Sequence, residues 1–318
     1  MKANLFLHID SLKHNGTDSE EIYLSKLRML FDDLIEIRNA YSADNCIKVS
    51  ISLPYGEEAL YNRKDIYTVA ELMGREEKNF IYSLMGNTAD VFDESLLEIE
   101  KTCVYREDET ECNTVVYLNK PAQDKPTYPI TYISFDKYHI VYGKESWHTM
   151  RRQIMGNHPG TPKDFMDECK VHFPNIVFHK NCETSIEGYL NLIPRKIVYY
   201  LSCMNDKLLH HISSFTTTDE NAVLSDFCGK YGFDEAGSRQ GTPKKKFLYQ
   251  YDFLKAGFDD KSENYKTITC DPHMKMSSCD SNCKNPPRAF VGRIYFHFGD
   301  DEIAPGKLLV GSIGPHVA

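Results

Sequence analysis

Long apolar runs are missing from this sequence. No stretch approaches the roughly 18 consecutive apolar residues that a membrane-spanning helix requires, and MKANLFLHID reaches Asp10 before a signal-peptide core could form. A cytoplasmic protein with no membrane partner is therefore the expectation. The signatures of several enzyme classes are absent too. There is no GxSxG elbow, HExxH, GxGxxG or kinase motif, which sets aside serine hydrolases, zincins, dinucleotide enzymes and kinases. Internal repeats and low-complexity tracts are lacking, which excludes solenoids and propellers.

What is present describes a folded globular chain: 318 residues, 41% hydrophobic and 26% charged, with 20 Tyr and 17 Phe to build a core. That length suits two domains. Acidic residues outnumber basic ones, 46 to 37, but unevenly. From Arg239 onward there are 12 Lys and Arg against 9 Asp and Glu, leaving 25 against 37 before it. An acidic body with a mildly basic end is the footprint of an anionic partner. The ten cysteines are expected to be reduced thiols. Seven are scattered singly, as small buried hydrophobes, whereas Cys270, Cys279 and Cys283 gather around His273.

The amino-terminal pattern is strand, helix, strand. ANLFLHID suits a buried strand; Leu24, Leu27, Leu30, Leu34 and Ile37 recur at helical spacing; CIKVSISLP alternates as a second strand. Residues 67–101 read as helical, punctuated by Gly74 and Gly86. Residues 104–128 mix acids with proline and read as an excursion or linker, and PITYISFDKYHIVYG as a hairpin about Asp136 and Lys137. Helical spacing after Trp147 puts His148, Arg151 and Arg152 on one solvated basic face. Thr161, Pro162 and Asp164 spell a capping box, and Thr184 with Glu187 and Thr217 with Glu220 spell two more. NIVFHK reads as a strand. Beyond these, KKKFLYQYDF, TITCDPHMKM, AFVGRIYFHFGDD and KLLVGSIGPHV read as four strands of a small antiparallel sheet behind a helix. The expected fold class is α/β. A mixed α/β body over residues 1–215 would be a sensor or partner-binding domain, and a smaller α+β module over 216–318 would bind or cut nucleic acid.

Side chains alternate across a strand, so RIYFHF turns Ile294, Phe296 and Phe298 one way and Arg293, Tyr295 and His297 the other. HMKM likewise separates Met274 and Met276 from His273 and Lys275. With both apolar sets on the helix, His273, Lys275, Arg293, Tyr295 and His297 share an open outer face, which His316 could join. RNA cleavage without a metal needs a base for the 2′-hydroxyl proton, an acid for the leaving oxygen and a cation for the phosphate. These six residues supply those parts and are the catalytic candidates. Arg239 with Lys244, Lys245 and Lys246 of the GSRQGTPKKK loop are candidates for touching the backbone of RNA or DNA.

The order CDPHMKM, RIYFHFGDDEI, GKLLVGSIGPHV resembles the end of a group of uncharacterised bacterial proteins associated with phage defence and mobile elements. A strand pair closing on a near-terminal His is also distantly similar to the RelE-type toxin ribonucleases. The resemblance covers about the last third of the chain. It implies a cofactor-independent ribonuclease in a defence or toxin–antitoxin-like setting, working with a protein partner or inhibitor.

Two other readings stand beside it. Cys270, His273, Cys279 and Cys283 make C-x2-H-x5-C-x3-C, four soft ligands for a structural zinc. His273 would then be a ligand and not a proton shuttle, and the protein a non-catalytic regulatory or interaction protein with a zinc clip. Asp10 and Asp136 follow apolar runs, as the Mg²⁺-holding carboxylates of α/β nucleases, including the PIN-like kind, do at strand ends.

Overall fold

The computed structural model describes residues 3–7, 11–40, 47–50, 60–86, 112–117, 140–215, 219–240, 247–259, 261–279 and 291–315. They fall into two units, Met1–Met150 and Arg151–Ala318, and the chain is mixed α/β.

In the first unit, β1 (Ala3–Leu7), β2 (Ile47–Ser50), β3 (Cys112–Tyr117) and β4 (Ile140–Val141) form a parallel sheet in the order β2-β1-β3-β4. Parallel neighbours need crossovers, and α1 (Glu20–Asn39) lies on the first of them. Ser19 starts this helix by accepting the Ile22 N–H at 3.3 Å. Its stripe of Leu27, Leu30, Phe31, Leu34 and Ile37 is buried, and Phe31 meets Phe80 edge-on. Phe80 belongs to α3 (Arg75–Gly86), which follows the short α2 (Ile66–Ala70). β3 corrects the sequence reading. CNTVVY was expected within a linker, yet it is a central strand, because a strand paired on both sides needs only one short apolar run, whatever flanks it. β4 pairs in parallel with β3; the turn and first arm of the hairpin expected about Asp136 and Lys137 lie outside the described residues.

The division at Met150/Arg151 falls within α4 (Lys144–Asn157). It differs from the expected 215/216 because the helices that follow share one core with the last sheet. These are α5 (Pro162–His172), α6 (Asn181–Ile186), α7 (Pro194–Cys203), α8 (Leu209–Ser213) and α9 (Glu220–Lys230). α5 opens with the expected capping box: Thr161 Oγ1 accepts the Asp164 N–H at 3.2 Å, and Asp164 Oδ2 accepts the Thr161 N–H at 3.4 Å. Thr184 instead lies inside α6, and α9 is capped by Asp219, which accepts from Asn221 and Ala222.

The second unit's sheet runs β5-β11-β10-β9-β6, from β5 (Ile176–Phe178), β11 (Leu308–Pro315), β10 (Gly292–His297), β9 (Pro272–Met276) and β6 (Ser238–Arg239). Only the β5–β11 pairing is parallel. One face packs on the helices through Met274, Met276, Ile294, Phe296, Val310 and Ile313. A hairpin of β7 (Gln250–Leu254) and β8 (Tyr265–Thr269) covers part of the other, with Tyr251, Phe253 and Ile268 packed against Tyr295 and Leu309. TITCDPHMKM is thus two strands in two sheets, the second beginning at Pro272. At Gly311 the hairpin touches backbone: a Cβ there would meet the Tyr251 ring at 2.4 Å.

Candidate nucleic-acid interface

β9 and β10 run antiparallel, with Lys275 opposite Arg293, Met274 opposite Ile294 and His273 opposite Tyr295. Directly opposed side chains share a face. Met274 and Ile294 enter the helix-side core and Tyr295 the hairpin-side core, so alternation puts His273, Lys275, Arg293 and His297 on the side of Tyr295. The His273 and Tyr295 rings are 5.3 Å apart, with Tyr249 5.0 Å from Tyr295. Arg293 Nη1 donates to the Tyr295 hydroxyl oxygen at 3.1 Å. His273 Nδ1 lies 3.2 Å from the Asp271 carbonyl and so carries a proton, whereas His297 Nδ1 accepts the Gly299 N–H and leaves the neutral ring's proton on Nε2.

This face is not open throughout, which corrects the expectation of one exposed polar surface. Tyr295 and Tyr249 are fully buried and His273 is 2% exposed, whereas Lys275, Arg293 and His297 are half-buried. The reason lies in β7: its own alternation gives Tyr251 and Phe253 an apolar side that needs a partner, and Tyr295 and Leu309 provide it. Burial also raises the Tyr249 phenol, to which the neighbouring Tyr295 phenol adds.

The two cations are less balanced. Arg293 and Lys275 are like charges in directly opposed positions, an arrangement that costs up to about 1 kcal/mol with no anion between them. Lys275 Nζ lies 3.9 Å from Glu235 Oε2. Among the described residues, no carboxylate pairs with the Arg293 guanidinium.

The other sequence candidates are placed differently. Arg239 is committed: Nε and Nη2 donate to the Asp271 carboxylate at 3.2 and 2.7 Å, and Nη1 to Glu220 at 2.8 Å. Asp271 is 2% exposed, so this clamp neutralises a buried charge beside the β6–β9 pairing, a structural duty that takes the guanidinium away from a nucleic-acid backbone. Cys270 is buried in the hairpin-side core with its Sγ near the Leu309 carbonyl, and burial pushes its thiol up. Cys279 packs on the helix-side core. No group of three His, Cys, Asp or Glu is placed to hold a metal ion among the described residues. Lys244, Lys245, Lys246, Cys283, His316, Asp10 and Asp136 lie outside the described residues.

A second polar cluster escaped sequence reasoning. His148, Arg151 and Arg152 are 8%, 1% and 6% exposed, where a solvated basic face was expected. Trp147, Met150, Ile154 and Met155 on the same helix are buried, so α4 has little face to give to water. Arg151 Nη2 donates to Glu168 Oε1 at 2.7 Å, and Glu168 Oε2 lies 3.1 Å from Nε2 of the fully buried His172. Arg152 donates from Nε to the His172 carbonyl and from Nη1 to Asp206, over the Phe173 ring. Burial works against ionised Glu168, but Arg151 and His172 outweigh it and bring its carboxyl down to about 2. For His172 burial wins, and its pKa falls to about 4. Asp206 belongs to a π turn, Met204–Leu208, between α7 and α8, whose Asn205 side chain accepts the Asn175 N–H at 2.8 Å just before β5. The i,i+4 pair Glu168 and His172, beside buried Phe165, Met166 and Cys169, was the available signal.

No protein-family model, curated protein or solved structure matches the chain.

Proposed function

We propose that this protein binds RNA through the β9–β10 face of its second unit, with Arg293 and Lys275 gripping phosphate, and that it cleaves the bound strand without a metal through His297. The observation that carries this reading is the opposed Arg293–Lys275 pair, two half-buried cations of which, among the described residues, only Lys275 has a carboxylate within 4 Å, that of Glu235 at 3.9 Å. A phosphate diester between them would turn mutual repulsion into two charge-assisted contacts. The Tyr295 hydroxyl holds the guanidinium in place from below. Buried His273 and Tyr295 support the face, whereas His297 is half-buried, four residues along β10 from Arg293, and on this reading acts on a neighbouring phosphate of the same strand. In the reaction, the 2′-oxygen attacks phosphorus and loses its proton to solvent water, the P–O5′ bond breaks, and the His297 Nε2–H protonates the leaving 5′ oxygen, the ring regaining its proton from solvent. The products are a 2′,3′-cyclic phosphate and a free 5′-hydroxyl.

The test is fluorescence anisotropy with a labelled single-stranded RNA in EDTA across a salt series, alongside gel analysis of the same RNA. Arg293→Ala and Lys275→Ala should each weaken binding and lower the salt slope by about one. His297→Ala should keep binding and lose cleavage. Wild-type protein that ignores RNA at low salt would end the proposal, and variants that bind with the wild-type salt slope would remove the site.

A second reading draws on the first unit. In the order β2-β1-β3-β4, the chain leaves β1 to one side and later fills the other, so the sheet has a topological switch between β1 and β3. Open parallel sheets bind ligands beyond the carboxyl ends of strands at such a point. That topology supports the Mg²⁺-dependent nuclease alternative, and activity lost in EDTA and restored by Mg²⁺ would favour it over cleavage at His297.

A further inference from the structure

We infer that Phe247 is a base-stacking platform beside the Arg293–Lys275 pair, and that the ligand of this face is single-stranded and not duplex nucleic acid. The inference rests on the RNA-binding reading above and names its substrate class. Phe247 is 66% exposed, an unusual position for a phenylalanine next to a strand whose other rings are buried. It stands outside the core because β7 begins only at Gln250, and residues 247–249 form a short 3₁₀ turn that breaks the alternation. That turn is anchored. Its last residue, Tyr249, is fully buried, its carbonyl accepts the Cys270 N–H at 2.8 Å, and its ring lies 5.0 Å from that of Tyr295.

The chain of contacts continues to the cation, since the Tyr295 hydroxyl accepts from Arg293. Two residues of backbone reach at most about 7 Å, so Phe247 is tied to the tilted Tyr249–Tyr295 ring pair whose Tyr295 hydroxyl meets Arg293. An exposed ring on a rigid support loses little entropy on stacking, and every base offers it a π face, so the contact is tolerant of sequence. In a duplex, both faces of an internal base are already covered by its neighbours, and the side chain finds nothing to stack on.

The experiment compares a single-stranded RNA with a blunt duplex of the same sequence by anisotropy, for wild type, Phe247→Ala, Phe247→Trp and Arg293→Ala. Wild type should prefer the single strand. Phe247→Ala should lose on the order of tenfold in single-strand affinity with duplex binding unchanged, and Phe247→Trp should retain the preference. The Trp variant also reports directly: Trp147 is buried, so fluorescence quenching that the single strand produces in Phe247→Trp and not in wild type marks stacking at position 247. Equal loss of both ligands in Phe247→Ala, or an unquenched Phe247→Trp, overturns the inference while Arg293→Ala still tests the interface. If wild type binds neither nucleic acid, both readings fall.

Discussion

The contact at Gly311 makes the packing of the β7–β8 hairpin testable. A Cβ at this position would stand 2.4 Å from Tyr251 Cδ2, 2.5 Å from Cε2 and 3.0 Å from Cγ. Carbon atoms in contact normally sit at about 3.5–4.0 Å, so Gly311→Ala must displace the ring by about 1 Å or more. Tyr251 is 8% exposed among Phe253, Ile268 and Leu309, with little room to yield. Overpacking of this kind costs about 1–3 kcal/mol. For a unit of this size, each kcal/mol lowers the midpoint by about 2–4 °C, so calorimetry should find a drop between about 2 and 12 °C. Tyr251→Ala alone removes a buried aromatic and costs about 3–5 kcal/mol. The double variant should be no worse than Tyr251→Ala, because the methyl then fills part of the space the ring vacated. Hydrogen exchange should show the β7 amides opening first in Gly311→Ala. A Gly311→Ala protein that melts within a degree of wild type, or a double variant with strictly additive losses, would refute the packing described here.

Acidification should weaken the second unit in two steps. His172 is held near 4 by burial against an ordinary 6.5, so its contribution is lost as pH falls from 6.5 towards 4; Glu168, lowered from 4.5 to about 2, loses its contribution below that. Urea unfolding at a series of pH values should show a shallower first slope in His172→Gln than in wild type, the remainder coming from His158 and His179, which burial also lowers. Arg239→Ala should destabilise by about 3 kcal/mol, because it strands the buried Asp271 carboxylate, while leaving the salt slope of RNA binding untouched; chemical denaturation and anisotropy separate the two effects. Asp234 Oδ2 accepts from Lys196 and from the Ser277 and Ser278 amides, so Asp234→Asn should cost about 2 kcal/mol and raise exchange at residues 277 and 278.

The helix-facing half of the last sheet was legible because HMKM and RIYFHF carry unbroken period-two patterns, and residue type alone separates their two sides. Their cover was not legible. Tyr249, Tyr251 and Phe253 announce a strand with one apolar side, but nothing local says against which sheet that side will rest. The domain division was misjudged for a similar reason: β5 pairs in parallel with β11 across most of the unit, a link that no turn signal records. Arg151 and Arg152 read as surface residues because their partners, Glu168, the His172 carbonyl and Asp206, come from other segments. Arg239 looked available for phosphate until Asp271 and Glu220 were seen to occupy it.

β11 lies between β5 and β10, is buried along all but its final residue, and touches both the helices and the hairpin. It is also the latest of the described strands to be synthesised. Until it emerges, the helices and β5 wait with their apolar sides uncovered, and a chain stopped before Leu308 has no substitute for it. Such a truncation should be insoluble rather than a smaller working protein. During translation, the second unit is open to chaperones and proteases for longer than its size alone would suggest.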